Sequence, residues 1–266
     1  VETVNLAVSN VRTTGVTTVT SLASNTLTSF SASSAGSVVM TALNAANATS
    51  LGALSSVNFA GVTTTTQVSA VSIPTNSLAA FATVTAGAGG LTLTPGIEQA
   101  TDSLSFNGAA GVDTLNTNFT GILNFYGLGG ADAANFTSAA AATVQYTNLT
   151  AVPNETGITV VTADQITGFA PGTDLVRTGT PGTAGVNFVQ VADADYAQTF
   201  ANILAAANGA LTATAAYVLV TDTDAAALAA AVPTTYLFYN TVPGDGAVDA
   251  MTVFAGNINI AAANIV

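Results

Sequence analysis

The side chains with the widest chemical reach in this chain are carboxylates, and several of them close glycine turns. Gly108-Ala-Ala-Gly-Val-Asp113 and Gly127-Leu-Gly-Gly-Ala-Asp132 each end on an aspartate, and Asp102 lies just upstream. Calcium takes about six to eight hard oxygens, which Asp side chains and turn carbonyls supply where glycine lets the backbone fold inward. Two readings fit: one Ca2+ at a turn edge held by Asp102, Asp113 and Asp132, or plain glycine turns with a capping aspartate. Asn240-Thr-Val-Pro-Gly-Asp245-Gly-Ala-Val-Asp249 poses the same choice, with Asp245 and Asp249 around Gly246. An Asp-Gly hairpin turn needs no metal. Asp174 ends Pro171-Gly-Thr-Asp174 behind the apolar pair Ile166 and Phe169, as a packed loop. It completes the candidate metal set of Asp102, Asp113, Asp132, Asp174, Asp245 and Asp249.

The remaining inventory removes most catalytic designs. Among 266 residues there is no Lys, His, Cys or Trp, and Arg12 and Arg177 face 14 acids for a net charge of −12. Without His or Cys there is no imidazole or thiolate dyad and no histidine zinc site; without Lys there is no Schiff base. A carboxylate hydrolase would need a cleft, and nothing beside Asp245 and Asp249 lines one. The chain is expected not to be an enzyme. Nucleic acid demands a cationic surface, so it is excluded as a partner, as is docking on an anionic membrane face. No run approaches 18 consecutive apolar residues, so no membrane insertion is expected. The absence of Cys rules out disulfides and leaves the compartment open. The start at Val1 fits a processed product or a piece of something larger.

The elements that must position these acids are mostly strands. Up to residue 97 the only acid is Glu2, and Val, Leu and Phe alternate with Thr, Ser and Asn, as in Gly15-Val-Thr-Thr-Val-Thr20 and Gln67-Val-Ser-Ala-Val-Ser-Ile73. Period-two alternation with Val and Thr reads as strand. Runs beginning at Leu27, Leu54 and Leu78 repeat at spacings of 27 and 24 residues. That period suits a parallel β-solenoid with hydroxyl and amide ladders between coils, and an antiparallel sandwich is the competing arrangement. The chain therefore divides into a Thr/Ser-rich β-solenoid wall at 1–97, a degenerate glycine-rich transition with possible calcium turns at 98–157, and a small α+β C-terminal cap at 158–266. Within the transition, 131–142 reads as a short helix or a loop. In the cap, 158–161 reads as a strand. Apolar spacing predicts a helix over 193–211 with Asp193 or Asp195 at its start. An Ala-rich helix or crossing is expected at 223–231, and three antiparallel strands at 217–220, 235–239 and 251–254.

Gln165-Ile-Thr-Gly-Phe-Ala-Pro-Gly-Thr-Asp-Leu175 resembles the stretch that follows glycine-rich calcium repeats in bacterial proteins exported by the type I route. The helix carrying Ala-Asn-Ile-Leu-Ala-Ala-Ala-Asn at 201–208, then Thr235-Tyr-Leu-Phe-Tyr and the Gly244–Asp249 turn, resembles the C-terminal region of that RTX-like group, particularly its S-layer members. Gly168 stands where that stretch usually has Asp. The resemblance implies an uncleaved export signal at 158–266, calcium-dependent folding, and an extracellular place at the cell surface. On that basis the chain is expected to be the lattice-forming part of a self-assembling S-layer protein. Its partners would be copies of itself, with an N-terminal anchoring region outside this sequence binding cell-surface polysaccharide. The alternative is a calcium-dependent adhesin or carbohydrate-binding module.

Overall fold

In the first unit the alternation of Val, Leu and Phe with Thr, Ser and Asn becomes short strands, because each strand buries one set of side chains and leaves the other in water. The computed structural model describes residues 2–9, 12–44, 52–116, 118–147, 149, 155–191, 200–222 and 234–266. The chain divides into two compact units, Val1–Ala142 and Thr143–Val266.

The first unit contains β1 (Glu2–Val8), β2 (Val16–Val19), β3 (Leu22–Ala23), β4 (Leu27–Ser34), β5 (Ser37–Met40), β6 (Leu43–Asn44), β7 (Leu54–Val62), β8 (Ser69–Ile73), β9 (Leu78–Thr85) and β10 (Leu91–Pro95). It continues with β11 (Ser103–Ala109), β12 (Thr114–Leu115), β13 (Ile122–Leu128) and β14 (Ala133–Asn135). One sheet runs β1-β4-β7-β9-β11-β13, a second runs β2-β5-β8-β10-β12-β14, and β3 pairs with β6. All of these pairs are parallel, so the sandwich alternative falls.

Register turns the sequence repeat into a solenoid-like one. Val4, Phe30, Val57, Val84, Phe106 and Phe125 stack in one row of the first sheet. Val19, Met40, Val71, Leu93, Leu115 and Ala134 stack in a row of the second. The repeat is 27 residues from Phe30 to Val57 and shortens to 19 from Phe106 to Phe125. Leu27, Leu54 and Leu78 open β4, β7 and β9 and are all fully buried. Outward polar positions form rows of their own: the Ser31 hydroxyl of one coil donates to Asn5 Oδ1 of its neighbour at 2.5 Å.

Of the two expectations for 131–142, the helix does not form and the loop holds over most of the stretch, interrupted by the three-residue strand β14. Ala is the best helix former, but propensity is a weak guide that tertiary context overrides: the Ala133 amide donates to the Asp113 carbonyl, holding this stretch on the parallel ladder.

The second unit holds β16 (Asp164–Thr167), β17 (Leu175–Arg177), β18 (Phe188–Val191), α1 (Phe200–Ala210), β19 (Tyr217–Asp222), β20 (Thr234–Tyr239) and β21 (Ala250–Ala255), while β15 (Ala141–Gln145) crosses the division. Its sheet order is β18-β19-β20-β21-β16. The strands β19, β20 and β21 are antiparallel, as their sequences predict. Ile203 and Ala207 of α1 pack into a core with Val218, Val220, Phe238 and Met251. The expected strand at 158–161 is a turn instead. There the Thr162 amide donates to the Thr159 carbonyl and Thr162 Oγ1 takes the Thr159 amide, leaving Val161 80% exposed. Threonine hydroxyls compete with strand pairing in this way. Asp193, Asp195 and the stretch 223–231 lie outside the described residues. No helix among the described residues is long and apolar enough to cross a membrane.

Candidate functional site

Successive coils place carboxylates where strands begin. Thr92, Thr114 and Ala133 share one register position, so Leu91, Asp113 and Asp132 stand together one residue earlier in three consecutive coils. The Leu91 amide donates to Asp113 Oδ1 at 2.6 Å, and the Asp113 amide donates to Asp132 Oδ1 at 2.7 Å. The other oxygen of Asp113 takes the amide of Ala109, four residues back, at 2.7 Å. Asp174 closes its own turn by the same spacing, with the Ala170 amide donating to its Oδ2 at 2.8 Å. Glycine is needed for this approach: a Cβ on Gly127 would overlap Asp132 Oδ2.

Asp102, Asp113, Asp132 and Asp174 are buried, and Asp245 is exposed in its turn. Asp102 Oδ2 accepts from the Gln99 amide, Asp245 Oδ1 from the Ala247 amide, and Asp249 Oδ2 from both the amide and hydroxyl of Thr241. Five of the six candidate carboxylates accept an amide of their own turn, and Asp132 accepts one from the neighbouring coil. Among the described residues no three Asp or Glu side chains gather where they could hold a metal ion. A calcium cage of about six to eight oxygens does not fit this donor set.

Burial has an electrostatic consequence. It pushes the Asp113 carboxyl up to about 7, against the opposing pull of the Ala109 and Leu91 amides. Glu98 is raised to about 7 for the same reason, although its Oε1 accepts from the amides of Ser77 and Leu78 at the start of β9. Desolvation outweighs two amide donors at each position.

A second feature lies within the second unit. A cavity of about 340 Å³ is lined by Thr147, Thr178, Asn240 and Thr241, among others, and is bordered by Tyr217 and Tyr239, which are only 4% and 1% exposed. None of its lining residues among those described is charged. The rings stand edge to face with centroids 6.2 Å apart. Thr178 and the Thr180 carbonyl hold the Tyr217 hydroxyl, and Thr252 holds the Tyr239 hydroxyl at 2.8 Å. Burial raises both phenols above their ordinary range, so they are neutral at physiological pH.

Comparison with protein-family models, with curated proteins and with solved structures gives no match.

Sequence reasoning found the aspartates and missed Glu98, whose position among Pro95, Gly96 and Gln99 marks a coil corner. It also missed the cavity. Tyr217 and Tyr239 read as strand residues and Asn240 as the head of the following turn, and the convergence of the tyrosines depends on the pairing of β19 with β20, where they are partners.

Proposed function

We propose that this chain is a structural protein that assembles with copies of itself outside the cell, as the lattice-forming part of a surface layer. The observation that carries the proposal is the first described coil, which no other described strand covers on its outer side. β1 and β2 are the end strands of their sheets. In the second coil Phe30 and Val38 are fully buried and Met40 is 1% exposed, whereas in the first coil Val4, Leu6 and Val19 are half-buried and Val16 is 56% exposed. An open edge with apolar side chains and unpaired backbone groups is a template for pairing with another chain. A chain with 6% charged residues brings little electrostatic repulsion to that edge. The resemblance of 165–175 and the later motifs to type I-exported S-layer proteins supports the same reading, as does the lack of His, Lys and Cys. Amides, one or two per carboxylate, hold the coil turns in this reading.

Sedimentation velocity tests it. The unaltered chain should form large species at low and high sodium chloride alike, because apolar and hydrogen-bonded contacts are little screened. A charged edge blocks pairing, so Leu6→Lys with Val16→Lys should leave monomers with an unchanged far-ultraviolet spectrum. A monomeric unaltered chain at every concentration, or assembly unaffected by both lysines, contradicts the proposal.

A further inference from the structure

The outward side of the first sheet is a lattice of hydroxyl and amide groups. Thr3, Ser29, Ser56, Thr83, Ser105 and Asn124 share one register row across β1, β4, β7, β9, β11 and β13. Asn5, Ser31, Asn58, Thr85, Asn107 and Tyr126 share another. These rows flank the interior row that holds Phe30, Val57 and Val84, so their side chains face out. In a third outward row Phe81, Ser103 and Ile122 stand side by side, with Phe81 77% and Ile122 44% exposed. Neighbouring strands lie about 4.8 Å apart, so each six-strand row spans about 24 Å at that repeat. From Thr3 to Leu128 these six strands carry no charged residue.

Charge, hydrogen-bonding type and repeat together select the partner. Hydroxyl and carboxamide groups both donate and accept, so the partner must do the same at each step of the lattice. A charged polymer would lose water here with no opposite charge to replace it. A second copy of the chain would find little apolar area, because in these three rows only Phe81 and Ile122 are large, apolar and exposed. Sugar hydroxyls donate and accept, and an extended pyranose chain crossing the strands advances by nearly one strand spacing per ring. Phe81 stands two residues before Thr83, about 6.6 Å along β9, where it can take the C–H face of a ring lying on the Thr83 row. We infer that this face binds a neutral polysaccharide strand laid across β9, β11 and β13, with Thr83, Ser105 and Asn124 as the hydrogen-bonding row and Phe81 as the stacking platform. The outward face is distinct from the first-coil edge, so sugar binding and assembly through that edge stand or fall separately.

Isothermal titration calorimetry on the full chain tests this with cellohexaose, chitohexaose and mannohexaose as separate probes and hexagalacturonate as the charged control. At least one neutral hexaose should bind with a dissociation constant in the millimolar range or below, and hexagalacturonate should not bind. Phe81→Ala removes an exposed ring, so it should leave the far-ultraviolet spectrum unchanged and weaken that sugar about tenfold or more. Ser105→Arg should abolish binding, while Thr94→Arg, at an exposed position of β10 in the second sheet, should not change it. If Ser105→Arg fails to fold, backbone amide resonances of the unaltered chain decide the matter, because those of β9, β11 and β13 must shift on saturation more than those of β8 and β10. The inference is overturned by binding of none of the three neutral hexaoses, by equal binding of hexagalacturonate, by sugar binding that survives both Phe81→Ala and Ser105→Arg in folded protein, or by resonance shifts centred elsewhere. Sedimentation that changes with Phe81→Ala in a chain that binds no sugar would assign the face to a second copy and overturn it as well.

Discussion

Replacing Asp113 by Asn isolates the energetics of a buried carboxylate that caps the coil stack. In the folded chain Asp113 is 0% exposed and titrates at about 7, against 3.8 for an ordinary aspartate. Because the folded value is raised, the folded chain binds this proton more tightly than the unfolded chain does. The resulting stabilisation is fully present below pH 3.8, declines as pH rises, and is gone above about 7. At 1.36 kcal/mol per pH unit, the swing has a ceiling of about 4 kcal/mol. Asn cannot titrate, keeps one acceptor oxygen, and turns an NH2 group towards the second amide. Either the Leu91 or the Ala109 amide then lacks an acceptor, at a cost of about 1–3 kcal/mol. At pH 5 the variant should therefore be the less stable protein. By pH 8 the gap should have narrowed by a few kcal/mol, closing or reversing. Urea unfolding followed by far-ultraviolet circular dichroism at pH 5, 6, 7 and 8, at constant ionic strength, measures the gap. Other titrating groups, Glu98 included, are common to both proteins and cancel in the difference. A gap that stays constant over this range, or widens with pH, would refute the reasoning.

The interior row gives a second outcome: Phe106→Ala removes a ring stacked on Phe125 with centroids 5.5 Å apart, and should cost about 3–5 kcal/mol in urea unfolding. Gly90 has φ +92°, and a Cβ there would overlap the Val112 carbonyl, so Gly90→Ala should lower stability by at least about 1 kcal/mol while an exposed Gly209→Ala in α1 should not. Because amides rather than a cation cap the six aspartates, calcium or a chelator should leave the thermal midpoint in place, and a calorimetric scan in each condition checks this.

The solenoid-like repeat was legible because its signal is local and periodic. Leu27, Leu54 and Leu78 announce the coil, and Val/Thr alternation announces the strands. The shortening of later coils to 19 residues was not legible, since turn glycines at 108–111 and 127–130 resemble metal-loop sequences as closely as tight corners. The role of Asp113 was within the two readings its spacing allowed, and the choice between them required the neighbouring coil. The acceptor for Leu91 lies 22 positions along the chain, and no local pattern specifies that contact. At 158–161 a β-branched run pointed to a strand, and the Thr159–Thr162 hydroxyl pair drew the backbone into a turn. The cavity is the extreme case, since its polarity comes from the bonds of Thr147 to Glu155 and Thr241 to Asp249, in which each hydroxyl spends its donor out of the site.

Assembly through the first coil is tested most directly by amide hydrogen exchange as a function of protein concentration. Edge pairing with another copy would protect backbone amides that a dilute chain leaves to water. The account predicts that protection in β1 and β2, over Glu2–Val8 and Val16–Val19, rises as the protein is concentrated, while interior strands such as β7 and β11 stay equally protected throughout. Exchange in β1 and β2 that is independent of concentration while the protein forms large species would place the contact elsewhere and contradict the account.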